Sequence, residues 1–505
     1  MNGKRKFIFN GLILTLVGFA MRGVTLFLGA YISGAIGAEG VGLQGLISTA
    51  YAFAVTFATS GVGLSVTRLV AASIGEGNDG ERILRGAFIY ALLFGSIATL
   101  ILYFSAGVIG AKILSDARVI GAVRLLSFSL LPIALSSVIS GYFVAVRRVT
   151  LNAAVQVFGQ LMRIALTVIL LVRCSGEGIE KAIEALALGV TVTELACFIL
   201  ALVEYVFDRR MYGSVGNKGY AVKTVAGMAL PLAFSQYVRS FLLSVEHSLI
   251  PKRLVDRGNT QSEALSSYGY LSGMALPIIL FPMTPLSSFS GLLVPEFAEC
   301  EGSGNTERMA RIASRAVSLT LCYAIATAVF IFAFSEEIGY AVYDTYAAGR
   351  YVAFLSPVIP IMYLDHVTDS MLKGIGEQVF SMWVNIADAL ISVGLVFILI
   401  PIFDIEGYAI VIILMELFNF TLSFLRLKKR VSFSISPTLS IVVPLGAALA
   451  SVYIANRTFT FSGAASPLLW LVMKIVFTLC IYLCVTLLVF YVFNSRKSKR
   501  IVTKT

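Results

Sequence analysis

The sequence has few charged residues. They make up only 13% of its 505 residues, whereas hydrophobic residues make up 58% and the mean hydropathy is +0.88. A soluble globular protein has about 25% charged residues. No polar stretch between the hydrophobic runs is long enough for a separate soluble domain. The composition therefore predicts a polytopic membrane protein.

Side chains that bind metals or carry catalysis are also scarce. The six cysteines form no C-x-x-C pair, and most lie inside apolar runs, as small buried hydrophobic residues do. Only two histidines occur, His247 and His366. The H-E-x-x-H, Walker and G-x-S-x-G motifs are missing. We therefore expect no enzyme activity, no cofactor and no metal site, and transport cannot use ATP hydrolysis by this chain.

Hydrophobic runs of spanning length make up most of the chain. A span needs about 20 apolar residues, and in the bilayer core it must be helical because no water satisfies its backbone. We predict fourteen such helices, at about 7–34, 41–70, 84–109, 120–146, 152–173, 182–207, 224–250, 265–294, 309–334, 351–373, 379–402, 405–427, 438–456 and 467–493.

The basic residues set a predicted orientation. Most lie in the tails and alternate loops on the side of the N-terminus, such as Arg147, Arg148 and the tail after Arg496. The positive-inside rule then places both termini in the cytoplasm, and an even number of spans agrees. The net charge of +11 reflects this bias and not a nucleic-acid partner.

A weak internal repeat predicts two lobes. Residues 65–78 resemble 293–305, and residues 140–171 align with 369–400 at an offset of 229. Parallel repeats of six spans predict a pseudo-two-fold axis along the membrane normal. We therefore predict an all-α integral membrane fold with an N-lobe at 1–222, a C-lobe at 223–434, and two extra helices with a basic tail at 435–505.

Two arginines inside apolar runs indicate an anionic cargo. Arg22 lies near the middle of Phe7–Gly34 as its only charged residue, and Arg239 lies in Met228–Ile250. A charge at the bilayer centre costs about 2.5–3.5 kcal/mol on insertion scales, unless it faces a wet cavity. A guanidinium presents a planar fork that suits phosphate oxygens. We predict that both arginines face one cavity and bind a diphosphate there.

Other polar residues extend the predicted substrate site. Gln160 and Arg163 belong to a one-sided polar stripe on the fifth helix, and Glu246 shares a face with Arg239 on the seventh. Arg68 lies near the cytoplasmic end of the second helix. It fits either an anion funnel at the cavity mouth or ordinary positive-inside anchoring.

Carboxylates and amides recur within the C-terminal half of the membrane region. Asp365 and Asp369 share a face of the tenth helix, while Asn385 and Asp388 lie one turn apart on the eleventh. Intramembrane carboxylates near amides indicate cation binding or proton relay. Asn385, Asp388 and Glu416 are our candidate residues for coupling to Na⁺ or H⁺, with the membrane potential as another driving force. Interhelical hydrogen bonds or pairing with the arginines would explain these residues more simply.

Two features concern helix regularity and lipid contact. The segment ALPIILFPMTP at 275–285 makes the eighth helix the most irregular one predicted.

The last two helices carry one intramembrane charge, Lys474, and have no counterpart in the repeat. One use for such a pair is a lipid-facing groove beside the cavity.

Several stretches resemble the stage V sporulation protein B branch of the polysaccharide transporters. They are Tyr363-Leu364-Asp365 with MLKGIGEQ at 371–378 and Asn385, GYLSGMALPIILFP at 269–282 and SVTRLVA at 65–71. This branch belongs to the multidrug/oligosaccharidyl-lipid/polysaccharide exporter superfamily, which also includes the lipid II flippase MurJ.

The resemblance implies a flippase in the bacterial plasma membrane. It would move an undecaprenyl-diphosphate-linked oligosaccharide, with lipid II among the candidates, to the outer leaflet by alternating access. It implies that Arg22 matches an essential first-helix arginine, that Arg68 matches one in the second helix, and that the extra helices hold the prenyl tail. Gly23 stands where MurJ proteins often have an acidic residue. Their eighth-helix arginine is missing, and Arg239 is a candidate replacement, so glycans other than lipid II remain open.

Two other functions compete with this one. An ion-coupled multidrug exporter of the same superfamily would have twelve helices and favour cationic drugs, which fits the arginines and the extra helix pair poorly. A membrane scaffold that recruits wall-synthesis enzymes through basic loops would tolerate loss of Arg22 and Arg239.

Overall fold

The fold is all-helical. A computed structural model describes residues 3–75, 80–146, 148–174, 176–212, 221–459 and 466–502, and no strand occurs among them. Arg147, the polar turn at 76–79 and residues 503–505, which entered the predictions above, lie outside the described residues. The predicted fold class is confirmed, whereas the exact number of fourteen spans stays a prediction.

The described residues form nineteen α-helices, several of which are pieces of one predicted run. In chain order they are α1 Gly3–Thr59, α2 Val62–Gly75, α3 Glu81–Val108, α4 Ile120–Ser127, α5 Leu130–Ala145, α6 Val149–Arg173, α7 Ile179–Tyr212, α8 Val222–Asp256, α9 Gln261–Tyr268, α10 Leu276–Leu280, α11 Thr284–Gly302, α12 Thr306–Ala333, α13 Ser335–Tyr343, α14 Tyr346–Leu355, α15 Ile359–Gly374, α16 Gln378–Phe403, α17 Ile405–Arg430, α18 Val443–Thr458 and α19 Pro467–Val502.

The helix surfaces are those of a multi-pass membrane protein. Eleven helical segments of the described chain are long and apolar enough to cross a membrane, or twelve if the bent pair at 117–145 is one span. Large apolar side chains stand exposed on them, including Phe104, Leu487 and Leu488. Exposure of these apolar side chains would be unfavourable in water and is favourable against lipid tails.

The chain divides into two compact units. The internal unit is Ala35–Gly269, and the terminal unit combines Met1–Gly34 with Tyr270–Thr505. This division follows spatial contacts, whereas the predicted lobes at 1–222 and 223–434 follow the repeat. The repeat-based division stays a prediction.

The internal unit contains two backbone breaks that hydropathy does not reveal. Helix α1 runs through the first predicted run and into the second, with a kink at Gly37, where φ is +68°. The second run then breaks at Ser60 and Gly61, which both have positive φ, and α2 begins at Val62. A Cβ on Gly61 would lie 2.9 Å from the Ala229 carbonyl oxygen, so a larger residue would clash there.

Close helix packing completes the internal unit. Helices α2 and α3 pack on α5, α6 packs on α7, and α8 contacts α2 and α3. Gly63 and Gly141 allow α2 and α5 to approach, because a Cβ on Gly141 would lie 2.5 Å from the Gly63 carbonyl oxygen. Small residues at helix contacts are typical of membrane bundles.

The terminal unit includes the predicted irregular helix, and that prediction is confirmed. Between α9 and α11 the chain forms a π-helix at Gly269–Ala275, the short α10 and a 3₁₀ turn at Phe281–Met283. Another 3₁₀ turn, at Ser356–Val358, separates α14 from α15. Prolines in these stretches remove backbone donors, so the regular hydrogen-bond ladder cannot continue.

The core of the terminal unit lies where α11, α12, α15 and α17 meet. Phe297, Met371 and Leu427 are fully buried there, with Cys300 among them as a small apolar residue. This core holds α15 and α17, which carry most of the acidic residues described below.

Candidate functional site

Arg22 lies in the terminal unit, on α1 before the kink. Its side chain is exposed, and it forms no ion pair or hydrogen bond with the described residues. The fully buried Tyr363 is an electrostatic neighbour. The next residue, Gly23, lines an apolar groove of the same unit. Arg22 therefore offers an uncompensated positive charge beside an apolar surface.

Arg239 and Arg68 lie in the internal unit, on α8 and α2. Both side chains are exposed, and neither forms an ion pair or hydrogen bond within the described chain. Glu246, two turns from Arg239 on the same helix, is only 6% exposed. The prediction that Arg22 and Arg239 serve one cavity remains a prediction.

Arg163 has a partner inside the internal unit. Its guanidinium is 2.7 Å from the Glu194 carboxylate, which joins α6 to α7. Tyr51 lies within electrostatic range of both and shares a 2.6 Å hydrogen bond with Ser129. The positive charge of Arg163 is thus balanced, unlike those of Arg22 and Arg239. Gln160, one turn earlier on α6, is half-buried.

Three carboxylates, which we call the carboxylate cluster, approach one another in the terminal unit. They are Asp365 on α15, Asp388 on α16 and Glu416 on α17, and both aspartates act electrostatically on Glu416. Asn385 lies one turn before Asp388 and donates from Nδ2 to the Ser381 carbonyl oxygen at 2.6 Å. The structure therefore brings the predicted coupling residues Asp388 and Glu416 together and adds Asp365.

The surroundings of the cluster include residues that the sequence did not single out. Ser423 on α17 is hydrogen-bonded to Asp365, while the Oδ1 atom of Asp365 is buried without a hydrogen-bond partner in the described chain. Asp369 pairs with Lys373 at 2.6 Å on the same helix. In the sequence, Asp365, Asp369 and Lys373 follow one another at i, i+4 spacing, which indicates a polar stripe along one face of α15. This spacing cannot show which residues of α17 lie beside the stripe.

The apolar groove lies wholly within the terminal unit and has a volume of about 1030 Å³. Its walls come from α1, α12, α13 and α19, with Phe281 and Pro282 of the 3₁₀ turn between them. On α12 the lining runs from Ser314 to Ile331, and on α19 from Leu468 to Leu487. A groove on both extra helices was predicted, but only α19 lines this one, because no residue of α18 contributes to it.

The hydroxyl groups on the groove wall are already engaged. Tyr323 donates to the Pro282 carbonyl oxygen at 2.6 Å, and Tyr482 donates to that of Cys322 at 2.8 Å. The remaining hydroxyl side chains of the lining with partners in the same unit are Ser314, Ser318, Thr327 and Thr486. The wall therefore presents mainly carbon to an occupant, as a hydrocarbon chain requires.

Lys474, the charge predicted inside the last helix, is 3% exposed. Its Nζ is 2.7 and 3.0 Å from the two carboxylate oxygens of Glu337 on α13. It also lies over the rings of Phe334 and Trp470, at 4.5 and 4.8 Å from their centroids. The pair ties α19 to α13, two walls of the groove. Sequence reasoning missed Glu337 because it lies in a short helix between predicted runs.

Comparison with known families gives two matches. The polysaccharide biosynthesis protein family model matches residues 7–301, which is more than half of the chain. The MatE family model matches residues 257–398.

Two curated proteins of Bacillus subtilis (strain 168) are similar along most of the chain. Stage V sporulation protein B is 24% identical over 420 residues, covering 81% of each chain. Sporulation protein YkvU is 18% identical over 399 residues, covering 78% of this chain and 88% of that protein. The resemblance stated from the sequence is confirmed.

Solved structures show the same fold. The lipid II flippase MurJ in an inward closed conformation aligns with a TM-score of 0.73 at 13% identity, covering 95% of this chain and 99% of that chain. An inward-facing multidrug resistance MATE family transporter of the MOP superfamily aligns with a TM-score of 0.66 at 17% identity. That alignment covers 81% of this chain and 94% of the transporter.

Proposed function

The chain belongs to the polysaccharide biosynthesis protein family and is a membrane transporter of the multidrug/oligosaccharidyl-lipid/polysaccharide superfamily, and on that premise we propose that it is a lipid flippase. Its substrate is an undecaprenyl-diphosphate-linked oligosaccharide, with lipid II as one candidate. It carries this lipid from the cytoplasmic to the outer leaflet of a bacterial plasma membrane by alternating access, with both termini in the cytoplasm.

One observation carries the proposal: Arg22 stands beside the apolar groove with no partner in the described chain. A polyprenyl diphosphate has the matching parts, since its phosphates suit a guanidinium and its hydrocarbon tail suits a groove whose hydroxyls are engaged. A cationic drug would be repelled by Arg22. Arg239, Arg68, Arg163, Gln160 and Glu246 complete the proposed headgroup site.

We assign coupling to the carboxylate cluster together with Asn385. A proton or Na⁺ that binds Asp388 and Glu416 would reduce the repulsion between these carboxylates. Binding would thereby change the relative stability of two states of the transporter. If Asp388→Asn left the transport rate unchanged under both a Na⁺ gradient and a proton gradient, this assignment would be removed.

The proposal is tested by flipping in proteoliposomes. A fluorescent undecaprenyl-diphosphate glycan is reconstituted with wild type or with Arg22→Ala plus Arg239→Ala, and dithionite quenching reports its leaflet. We expect each arginine to contribute about tenfold to the rate, because a hydrogen bond to a charged group is worth about 1.5–3 kcal/mol. Arg350→Ala is the matched control, since Arg350 is 78% exposed and pairs weakly with Glu406 at 3.3 Å.

Two outcomes would replace the proposal. If the wild type flips no glycan lipid but lowers accumulation of cationic dyes in cells, the multidrug exporter is correct, and the carboxylate cluster becomes the drug site. If the double variant folds and supports full function in cells, the chain acts as a scaffold for wall-synthesis enzymes.

A further inference from the structure

Among the described residues that line the apolar groove, Arg315 alone carries a charge. It lies on α12, next to Ser314, at the end of the groove nearest the start of that helix. The side chain is exposed, and Arg315 has no ion pair or hydrogen bond within the described residues. The two nearest serines of the lining are bonded within the unit: Ser314 donates to the Ser434 carbonyl oxygen, and Ser318 accepts from the Ser440 hydroxyl.

The other arginines at the start of α12 are engaged. Arg308 forms contacts of 2.8 Å with Glu296 and 2.7 Å with Glu299. The Nε atom of Arg311 bonds the Glu307 carbonyl oxygen at 3.4 Å. Arg315, one turn further along the helix, is therefore the first arginine of this stripe with neither a hydrogen bond nor an ion pair among the described residues.

On the basis of the proposed function, we propose that Arg315 is the loading site for the substrate's diphosphate. The lipid docks its phosphates on Arg315 at the predicted cytoplasmic end of the groove, with its polyprenyl chain laid along α12 and α19, before the headgroup moves to Arg22. Arg22 precedes Gly23, which lines the groove, so Arg315 and Arg22 both lie at the same groove.

The length of the groove selects a polyprenyl lipid over a phospholipid. The lining on α12 extends from Arg315 to Ile331, and this rise of 16 residues at about 1.5 Å per residue is roughly 24 Å. An acyl chain of one leaflet reaches only to the bilayer midplane, about 15 Å into a hydrocarbon core of about 30 Å. A polyprenyl chain is long enough to fill the rest, and the lining offers it no unmet hydroxyl.

The test measures lipid binding separately from flipping. Full-length protein in detergent is titrated with undecaprenyl diphosphate, with undecaprenol, which has no phosphate, and with phosphatidylglycerol, and native mass spectrometry gives the bound fraction. Arg315→Gln should raise the dissociation constant for undecaprenyl diphosphate about tenfold, whereas Arg315→Lys should restore part of the loss. Undecaprenol binding should not change. Arg311→Gln, one turn away, is the matched control and should bind like wild type.

In proteoliposomes, Arg315→Gln should lower the flipping rate at low substrate fraction and approach the wild-type rate at high fraction, because loading and not translocation is impaired. Equal loss of undecaprenol binding, or unchanged diphosphate binding, would overturn the assignment. A tenfold preference for phosphatidylglycerol over undecaprenyl diphosphate would also overturn it, in favour of an ordinary annular lipid. If the wild type binds the diphosphate through Arg315 yet flips nothing, the proposed function fails while the binding assignment stands.

Discussion

The internal and terminal units treat charge inside the membrane-spanning helices differently. In the internal unit, Arg163 on α6 and Glu194 on α7 form a one-to-one pair at 2.7 Å. In the terminal unit the carboxylate cluster gathers acids from three helices, and Lys373, a cation that acts on Asp365, is already paired with Asp369. A balanced pair keeps its charge and ties helices together, whereas an acid-rich cluster gains stability when a cation or proton enters.

The difference assigns separate tasks to the two regions. Removing a charge from a balanced pair strands its partner in a low-dielectric region, so stability falls. Removing a charge from an acid-rich cluster relieves repulsion, so stability holds while ion binding is lost. The predictions below test this contrast, from the largest expected effect to the smallest.

The largest effect is expected from Asp388→Asn combined with Glu416→Gln. In the wild type, an imposed ion gradient should change the flipping rate by about 5- to 150-fold, the usual magnitude of coupling between two sites. The double variant, which lacks both ionisable groups, should show no such change. The thermal midpoint in detergent should stay within a few degrees of wild type. Flipping is followed in vesicles with an imposed Na⁺ or pH gradient.

A carboxylate outside the cluster provides the control for that experiment. Asp344→Asn removes a negative charge between α13 and α14, at a left-handed position that asparagine tolerates. It should leave the gradient response intact. A large drop in thermal midpoint for the cluster variant, with its gradient response retained, would make the cluster a structural feature like the Arg163 pair.

Lys474 and Glu337 form a balanced pair within the acid-rich unit and should behave like the pairs of the other unit. Glu337→Gln strands a lysine that is 3% exposed. We expect a loss of about 2–4 kcal/mol, below the full range for a buried pair because Glu337 is 36% exposed. Lys474→Met should cost less, since the stranded glutamate can reach solvent or headgroups. Unfolding in detergent measures the loss of stability in each single variant, and the double variant completes a double-mutant cycle.

Glu194→Gln should destabilise the internal unit by about 1–3 kcal/mol, because it strands Arg163. The expected value is reduced because the Arg163 side chain is 41% exposed and that of Glu194 is 24% exposed. Arg163→Met with Glu194→Met should recover most of the loss. If the single variant instead unfolds like wild type but loses flipping, Glu194 belongs to the transport site and the contrast between the units fails.

The smallest effect concerns an ion pair at the helix ends of the terminal unit. Glu377 accepts from Arg426 at 2.9 Å and lies 3.0 Å from Arg430, so Glu377→Gln should cost about 1 kcal/mol. Glu301→Gln is the control, since its oxygen is 3.8 Å from Arg430 and its loss should be close to zero. Equal effects of the two changes would show that the MLKGIGEQ turn is not held by these arginines.

Hydropathy and charge were sufficient to predict an all-helical membrane protein, because a backbone in lipid has few alternatives to the helix. They also indicated the carboxylates, since Asp365 and Asp369 at i, i+4 must share a helix face. The irregular eighth helix followed from its prolines. These features are local in sequence, so local patterns reveal them.

The features that escaped prediction depend on contacts between distant segments. Nothing near Lys474 in sequence points to Glu337, 137 positions away. The pairing of Arg163 with Glu194 likewise joins two different helices, 31 positions apart. Arg315 looks like an ordinary basic residue near a helix start until the groove shows which surface it borders.

The break at Ser60 and Gly61 bears on the electrical tightness of the membrane. An interrupted helix exposes backbone groups that attract water, and water in a lipid-embedded helix bundle offers ions a path. Here the Tyr90 hydroxyl donates to the Ser60 carbonyl oxygen at 3.2 Å, and the Tyr237 hydroxyl donates to Ser60 Oγ. The polar groups of Ser60 at the interruption are thus satisfied by protein hydroxyl groups and need no water, which favours a membrane that stays tight to ions at this point.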